Sequence, residues 1–277
     1  MQNEDVENLL KDDIAAASIE LLADRSPRRH LGASEIGEEC ERMLVYKFRW
    51  INAEIFVPRM LRLFERGHLE ELRLIRWLRW KGWTVDDVDP ATGEQFKLAS
   101  VNGHFGGGLD GFLSHRVDLG SYKFLLEFKT IATGPFGQLA KEGVKSFRPK
   151  HWAQMCTYGF AYELSKVAYL TVNKNDDDIA VKVIDLDHDH GKAMYDKASR
   201  VIGASRLPPR ISENPAFFKC KFCTFSDNCH KEEQHAVNCR SCTNAIPVEN
   251  KKWACKFHNA IIPDDVIKTG CGNWSAF

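Results

Sequence analysis

The sequence predicts an α/β protein with a central mixed sheet, preceded by helices and followed by a cysteine-rich tail. Apolar side chains recur every three or four residues over residues 58–80, which is typical of an amphipathic helix. Over residues 83–131, stretches rich in β-formers alternate with glycines and Asp-Pro, which is typical of short strands joined by turns. A helix and further strands follow, so the chain alternates helices with strands as α/β proteins do.

The elements before the sheet are helical. Residues 3–23 predict a helix in which leucine and isoleucine mix with charged residues, and residues 25–30 predict a basic linker. Residues 33–50 predict a second helix, with Ser34 as its N-cap. A long helix is expected from Pro58 to Trp80, because its apolar stripe ends at a Lys-Gly pair.

The remaining elements follow from local composition. Runs of Val, Ile, Phe and Tyr with alternating polarity indicate strands, and Gly, Asn and Asp between them indicate turns. The expected elements, in order, are strands at 83–88, 94–100, 104–115 and 122–131, a polar and basic loop at 132–149, a helix at 150–163, strands at 166–174 and 179–186, and a helix at 189–204.

The composition limits the class of protein. A chain of 277 residues suits one large domain, or one domain with a small appendage. The 38 basic and 38 acidic residues balance, which argues against a protein that coats nucleic acid non-specifically but allows a local basic groove. With no long apolar run and an acidic N-terminus, we expect no membrane span and a cytoplasmic location. The nine cysteines of such a chain indicate metal ligation rather than disulfides.

A possible catalytic set lies on two of the predicted strands. Glu127 and Lys129 are two residues apart and project from the same strand face, while Leu126 and Phe128 project to the opposite, buried face. Asp110 ends the preceding strand, so both carboxylates could meet and hold a divalent cation. Lys129 could then position water or stabilise a developing oxyanion. The alternative is an exposed strand face with an ordinary ion pair.

The long helix offers further ligands. Its apolar stripe of Leu61, Phe64, Ile75 and Leu78 is interrupted by His68 and Glu71 on the side predicted to face the core. A buried carboxylate needs a partner or a metal, so Glu71 is a candidate metal ligand and His68 a second one. The alternative is a salt bridge at the edge of the stripe.

A polar pair lies on the helix after the catalytic strand. Gln154 and Tyr158 are four residues apart and share one helix face. They could bind the substrate backbone or brace Lys129, or they could simply form a half-exposed helix face.

Two basic stretches could bind nucleic acid. Residues 73–83 alternate basic residues with tryptophans, although those tryptophans could equally be core and the arginines solvated. Residues 141–151 precede the Gln–Tyr helix and are preferred for that reason. The DNA-binding candidates in this second stretch are Lys141, Lys145, Arg148 and Lys150.

The ordered motifs resemble one nuclease family. They are G-x-x-x-E at Gly67 and Glu71, D-G at Asp110 and Gly111, E-x-K at Glu127 and Lys129, and Q-x-x-x-Y at Gln154 and Tyr158. The series resembles the RecB-type branch of the PD-(D/E)XK nucleases over roughly residues 33–230. That branch includes the RecB nuclease domain, the CRISPR-associated RecB-like exonucleases and, more distantly, phage lambda exonuclease. Many RecB-like members have histidine where Glu71 falls, whereas lambda exonuclease has glutamate.

The resemblance implies a fold and a chemistry. The fold would be a restriction-endonuclease-like αβββαβ core, and the reaction would be hydrolysis of DNA with Mg²⁺ or Mn²⁺. It also implies that the main-chain carbonyl of Phe128 is a metal ligand. The residues given catalytic roles are Glu71, Asp110, Glu127, Lys129, Gln154 and Tyr158.

The cysteines strengthen this resemblance. The segment SEIGEECERMLVY at 34–46 resembles the one that supplies the first cluster cysteine, Cys40, in CRISPR-associated and AddB-like nucleases. Cys220, Cys223 and Cys229 have the C-x2-C-x5-C spacing of the other three. The resemblance implies a [4Fe–4S] cluster that clasps the two ends of the nuclease domain. The spacing alone leaves zinc open, and Cys40 could also be a buried core thiol.

The tail carries a second set of ligands. Cys239, Cys242 and Cys255 are spaced as in a small zinc ribbon, and either Cys271 or His258 could be the fourth ligand. The expected organisation is an N-terminal helix and linker at 1–30, a nuclease domain at 31–230 and a zinc-ribbon-like tail at 231–277.

These patterns together predict a metal-dependent deoxyribonuclease, with an exonuclease as the preferred form. Its substrate would be single-stranded DNA or DNA with free ends, in phage-type recombination, replication or repair, with a recombination or replication protein as a partner. A phage-encoded or prophage-encoded enzyme would act in the host cytoplasm. The alternatives are a non-catalytic DNA-binding or assembly protein that keeps the nuclease fold, and an RNA-directed nuclease.

Overall fold

A computed structural model describes residues 3–22, 28–52, 57–114, 123–231 and 235–277. The helices are α1 (Asn3–Leu22), α2 (Glu41–Phe48), α3 (Pro58–Trp80), α4 (Thr133–Phe147), α5 (Pro149–Ala161), α6 (His188–Ile202), α7 (Phe218–Lys221) and α8 (Ser226–His230). The strands are β1 (Leu31–Gly32), β2 (Val85–Asp86), β3 (Lys97–Ser100), β4 (Phe105–Gly108), β5 (Gly111–Leu113), β6 (Phe124–Ile131), β7 (Lys166–Asn173), β8 (Ile179–Asp185), β9 (Ala245–Pro247), β10 (Trp253–Cys255) and β11 (Ala260–Ile261).

The central sheet is mixed, as predicted. Its five strands run in the order β2-β5-β6-β7-β8. The pair β6 and β7 is parallel over residues 125–131 and 167–173, and the other neighbours are antiparallel. Helix α5 lies between β6 and β7 in the chain, which gives the parallel pair the helical crossover it needs. Along the chain, α3, then β2, β5 and β6, then α5 and β7 give the expected order of helix, three strands, helix and strand.

Helices cover both faces of this sheet. Leu74 and Ile75 of α3 pack in one buried cluster with Leu126 and Phe128 of β6. Leu125, on the other face of β6, belongs to a larger cluster that includes residues of α5 and α6. Because alternate side chains of β6 enter different clusters, this strand is the centre of the fold.

The predicted helix at 33–50 is shorter than expected. Residues 31–32 form β1, which pairs in parallel with β4, and the N–H of Ala33 donates to the carbonyl of Gly106 at 2.8 Å. Helix α2 begins only at Glu41, with Cys40 in the N-cap position and without a side-chain cap. The Ser34 N-cap is therefore wrong, because pairing with β4 holds the chain at Ala33 and residues 33–37 form turns instead of the first turn of a helix.

The predicted loop at 132–149 is helical. It forms α4, which is kinked at Gly143, where φ is 75°. Arg148 separates α4 from α5 with a non-helical φ of −130°, because the residue before a proline is disfavoured in the helical region. Polar composition suggested a loop here, but the buried side chain of Val144 anchors the helix to the core.

The predicted strand at 104–115 is split in two. Its first part, β4, joins β1 and β3 in a separate three-stranded sheet, and its second part, β5, joins the central sheet. The strand predicted at 94–100 is β3, so it lies outside the central sheet. Residue 115 and the first half of the predicted basic linker, residues 25–27, lie outside the described residues.

The chain after residue 235 forms a small antiparallel sheet, in the order β11-β10-β9. Trp253, Ile262 and Ile267 belong to the same buried cluster as α2 and α5. No helix in the described ranges is long and apolar enough to cross a membrane.

Candidate active site

The carboxylate at the centre of the site is fully buried. Glu127 lies in the middle of β6 with 0% exposure, and its Oε1 is paired with Nζ of Lys129 on the same strand face. Leu126 and Phe128 project to the opposite face, where they pack under α3. Alternation along β6 therefore places a polar pair on one face and apolar side chains that pack under α3 on the other. Because Glu127 is fully buried, the alternative of an exposed strand face is wrong.

Asp110 reaches this pair from the neighbouring strand. It lies between β4 and β5, and Gly111 after it has φ of 136°, a conformation that disfavours any side chain. Oδ2 of Asp110 accepts a hydrogen bond of 2.7 Å from the N–H of Phe128. This bond fixes the orientation of Asp110 beside Glu127, because Phe128 is the next residue on β6.

Glu71 approaches the same point from helix α3. Its side chain is only 17% exposed. Burial and the charge of Asp110 raise the pKa of Glu71 to about 8, with Lys129 opposing them and Glu127 adding to them. Three elements that are distant in the sequence thus bring three carboxylates into one electrostatic cluster.

Burial raises the pKa of all three carboxyls of the cluster. Burial raises the pKa of Glu127 to about 7, and Asp110 adds to the rise although Lys129 opposes it. Burial also raises the pKa of Asp110. The pKa of Lys129 rises despite burial, because Glu127 and Asp110 hold its proton. Three carboxylates with one ammonium leave an excess of negative charge, which is the environment that suits a hard divalent cation.

The predicted Gln–Tyr pair contacts the site directly. Nε2 of Gln154 donates to Oε2 of Glu127 at 3.4 Å, and the hydroxyl of Tyr158 donates to the carbonyl of Gly108 at 2.8 Å. Both side chains are buried, so the alternative of a half-exposed helix face is wrong. A Cβ at Gly107 would lie 2.6 Å from the Tyr158 hydroxyl, so the glycine permits this close approach. The pair braces Glu127 and β4.

A second polar pair was missed by the sequence analysis. Nδ1 of His151 lies 2.8 Å from the hydroxyl of Tyr169, the residue that pairs with Glu127 across β6 and β7. Burial lowers the pKa of His151 to about 3, helped by the charges of Lys129 and Arg148. His151 is three residues before Gln154 on the same helix, so helical spacing could have identified it.

His68 does not face the core. Its side chain is 70% exposed, with Nδ1 3.8 Å from Oε2 of Glu71. Phe64 is also exposed, whereas Leu74 and Ile75 are buried. The core-facing stripe predicted for α3 is therefore wrong at Phe64 and His68, although Leu61 at its start is buried. The α3 residues buried together with β6 are Leu74 and Ile75, in the second half of the helix. His68 lies at the rim of the acidic cluster.

The predicted DNA-binding residues lie on α4 and at its junction with α5. Lys141 is exposed, and Nζ of Lys145 lies 5.4 Å from the centre of the Trp152 ring. Arg148 lies over the ring of Phe147, 4.5 Å from its centre. Lys150 is paired with Glu38.

The other basic stretch, residues 73–83, exposes two of its three tryptophans. Trp77 is 44% and Trp80 is 85% exposed, so the interpretation of these two tryptophans as core residues is wrong.

Four cysteines line one cavity. They are Cys40, Cys220, Cys223 and Cys229. The pKa of Cys223 is raised by burial, and the thiols of the other three act on it in the same direction. Its Sγ accepts a hydrogen bond of 3.4 Å from the N–H of Phe225, and Arg42 lies 3.8 Å from Sγ of Cys229. The thiols and these donors fit a cluster held by four thiolates.

A second cavity in the tail is lined by all the predicted zinc ligands, Cys239, Cys242, Cys255, Cys271 and His258. Nε2 of His258 lies 3.7 Å from Sγ of Cys271. All nine cysteines are free thiols.

As they stand, no three Asp, Glu, His or Cys side chains of the described ranges are close enough together to hold a metal ion. The cysteines of each set nevertheless line one cavity, and the carboxylates of Glu71, Asp110 and Glu127 interact electrostatically.

No family model matches the sequence, and no curated protein matches it. Among solved structures, the chain is similar to the alkaline exonuclease LHK-Exo from Laribacter hongkongensis, with 16% identity and a TM-score of 0.44. The complex of LHK-Exo with dAMP gives 16% and 0.45, and both comparisons cover 69% of this chain and 90% of that one. The structure of SSO0001 gives 14% and 0.46, over 78% of this chain and 94% of that one.

Proposed function

We propose that this chain is a metal-dependent nuclease that hydrolyses phosphodiester bonds of DNA with free ends. The observation that carries the proposal is the fully buried Glu127, paired with Lys129 and joined by Asp110 and Glu71. Burial raises the pKa of all three carboxyls, and neighbouring carboxylates add to the rise for Glu71 and Glu127, so the cluster destabilises the fold and a purely structural role does not account for it. Such clusters are typical of functional sites.

The donor set suits Mg²⁺ or Mn²⁺. The carboxylates of Glu71, Asp110 and Glu127, with the carbonyl of Phe128, are the oxygen ligands that hard cations prefer. When bound, the metal lowers the pKa of water and neutralises charge on the phosphate. His68 lies next to Glu71 at the rim and is the outermost candidate ligand.

The protein's own side chains orient the reacting groups. Lys129 carries the one ammonium of the cluster, so it can hold the attacking water and stabilise negative charge that develops on the phosphate. Gln154 orients Glu127, and the N–H of Phe128 orients Asp110. With both carboxylates held by hydrogen bonds, little reorganisation is needed during reaction.

Phosphate binding is assigned to α4 and its junction with α5. Lys141 and Lys145 are exposed, and basic side chains here would neutralise backbone phosphates next to the acidic cluster. Arg148 acts electrostatically on both His151 and Tyr169, which links it to the residues that flank Glu127. Lys150 contributes less, because Glu38 already pairs with it.

The four cysteines around Cys40 complete the proposal. They would hold a [4Fe–4S] cluster, with zinc as the alternative, and so tie the start of α2 to α7 and α8. Anaerobically purified protein should be brown, with absorbance near ~400 nm, whereas a colourless protein with zinc only would contradict the iron–sulfur assignment.

The motif resemblance supports a role in phage or prophage recombination, replication or repair in the host cytoplasm. A recombination or replication protein is the proposed partner.

A cleavage assay on different nucleic-acid substrates tests this function. Purified protein with Mg²⁺ or Mn²⁺ should degrade end-labelled linear DNA, single-stranded or double-stranded, and leave closed circular DNA intact. Asp110→Asn should be inactive, and Asp196→Asn, which alters an exposed acid on α6, should behave as the wild type. Cleavage of RNA in preference to DNA would favour the RNA-directed alternative. Binding without cleavage would favour a non-catalytic assembly protein.

A further inference from the structure

Two arginines are buried where the tail meets the rest of the fold. Arg49, directly after α2, and Arg240, between Cys239 and Cys242, are 2% and 1% exposed. Nη1 of Arg49 donates to the carbonyls of Arg240, Cys242 and Ala245 at 3.1–3.3 Å. The guanidinium of Arg240 lies against three aromatic rings, with distances of 4.8, 4.1 and 4.8 Å to Phe48, Trp50 and Trp253 respectively.

These guanidinium groups lack a carboxylate counter-charge. Among the residues that the structure describes, no Asp or Glu forms an ion pair with either of them, and Nε of Arg240 is buried without a hydrogen-bond partner. A buried charge needs compensation, and carbonyls and aromatic rings provide only part of it.

Four cysteines of the tail, Cys239, Cys242, Cys255 and Cys271, line one cavity. Arg240 lies between two of them in the sequence, and the carbonyl of Cys242 accepts a hydrogen bond from Nη1 of Arg49. Sγ of Cys255 accepts from the N–H of His258 at 3.5 Å, and Sγ of Cys242 accepts from the N–H of Ser275 at 3.5 Å. Backbone donors aimed at sulfur stabilise thiolates and orient them as metal ligands.

We propose that Cys239, Cys242, Cys255 and Cys271 bind one Zn²⁺ as four thiolates, and that the site balances the charges of Arg49 and Arg240. Four thiolates and one Zn²⁺ have a net charge of −4 plus +2, which is −2, equal and opposite to the two guanidinium groups. Three thiolates with neutral His258 would give −1 and leave one arginine uncompensated. Charge balance therefore selects Cys271 as the fourth ligand. His258 remains its neighbour, with Nε2 3.7 Å from Sγ of Cys271.

The zinc site would hold the tail in place. Arg49 binds three tail carbonyls only when the loop between Cys239 and Ala245 has its present course. Bound zinc would link this loop to Cys255 of β10 and to Cys271, so the site would fix the loop while its four thiolates supply the negative charge. This role is structural and does not depend on nuclease activity.

The first test is the metal content of the full-length protein. Zinc and iron are measured in the same samples by mass spectrometry. The wild type, His258→Ala and the control Cys156→Ser, which alters a buried cysteine outside both sets, should carry the same tail zinc. Cys271→Ser and Cys255→Ser should each lose one zinc per chain while iron is unchanged. Loss of zinc in His258→Ala with retention in Cys271→Ser would overturn the ligand assignment, and a wild type without zinc would overturn the site.

Two further measurements keep the proposal testable if a cysteine variant fails to fold. Cobalt exchanged into the wild-type tail should show the charge-transfer intensity of four thiolates, and the intensity of three would contradict the proposal. Removal of zinc should lower the Tm of the wild type more than that of Arg49→Met, because that variant has one fewer buried charge to compensate. An equal loss of Tm in both proteins would refute the charge balance.

Discussion

Replacing Glu71 by glutamine should make the metal-free protein more stable. The pKa of Glu71 rises from 4.5 to about 8 in the fold, because burial and Asp110 disfavour its charged form. The folded state therefore binds this proton more tightly than the unfolded state does. The stabilisation that the protonated Glu71 carboxyl contributes is fully present below pH 4.5 and is lost as the pH rises through about 8. Glutamine keeps the shape of the side chain and removes the charge.

The size of the effect follows from the pKa values. Each pH unit between them is equivalent to about 1.36 kcal/mol, so the interval from pH 4.5 to pH 8 bounds the penalty at about 4.8 kcal/mol. The side chain is 17% exposed and Lys129 neutralises part of the cluster, so we expect roughly half of that, about 2 kcal/mol. For a chain of this size, about 2 kcal/mol corresponds to a rise in Tm of about 4–8 °C.

The assay is thermal unfolding in buffer free of divalent cations, with the Tm measured at pH 5 and at pH 8. Glu71→Gln should exceed the wild type in Tm at pH 8 and by much less at pH 5. The matched control is Glu65→Gln, an exposed glutamate of the same helix, which should show no such difference. Mn²⁺ should stabilise the wild type more than Glu71→Gln. A Glu71→Gln protein that is less stable than the wild type at pH 8 would refute the reasoning.

Two further predictions concern the elements behind the site. Gly107→Ala should lower the cleavage rate at least about tenfold, because its Cβ would lie 2.6 Å from the Tyr158 hydroxyl and displace the group that holds β4. Steady-state kinetics of Gly107→Ala beside Tyr158→Phe measures this, and full activity in both would exclude the bracing role. His151 has its pKa lowered to about 3, so its neutral form stabilises the fold above pH 6.5, and this stability is lost as the pH falls toward about 3. Urea titrations of the wild type and His151→Gln should therefore diverge across this range, and parallel pH profiles would contradict the burial of a neutral imidazole.

Local patterns predicted the elements that hold the candidate site. The alternation of β6 was sufficient to place Glu127 and Lys129 on one face and Leu126 and Phe128 on the other. The 3.6-residue period identified α3 and the buried position of Glu71. These predictions succeed because side-chain direction in a regular element depends on spacing alone.

Tertiary contacts decided the features that were missed. Residues 33–40, the first part of the predicted helix at 33–50, are not helical, because pairing of β1 and Ala33 with β4 sets the course of the chain before them. His68 is exposed, whereas Leu74 and Ile75 in the second half of α3 are buried together with β6, a difference that periodicity along a single helix does not reveal. The counter-charge problem of Arg49 and Arg240 emerges only when residues about 190 positions apart are brought together.

Cleavage by metal-depleted protein on addition of Mg²⁺ or Mn²⁺ tests the central claim most directly. Acid-soluble label released from linear DNA should rise only after the metal is added to the wild type. Lys129→Ala and Asp110→Ala should each lose at least about 10²-fold in rate, since each removes a charged group of the site. Equal rates in all three proteins, or cleavage that is unaffected by metal, would contradict the assignment of Glu71, Asp110, Glu127 and Lys129 as a metal-dependent hydrolytic site.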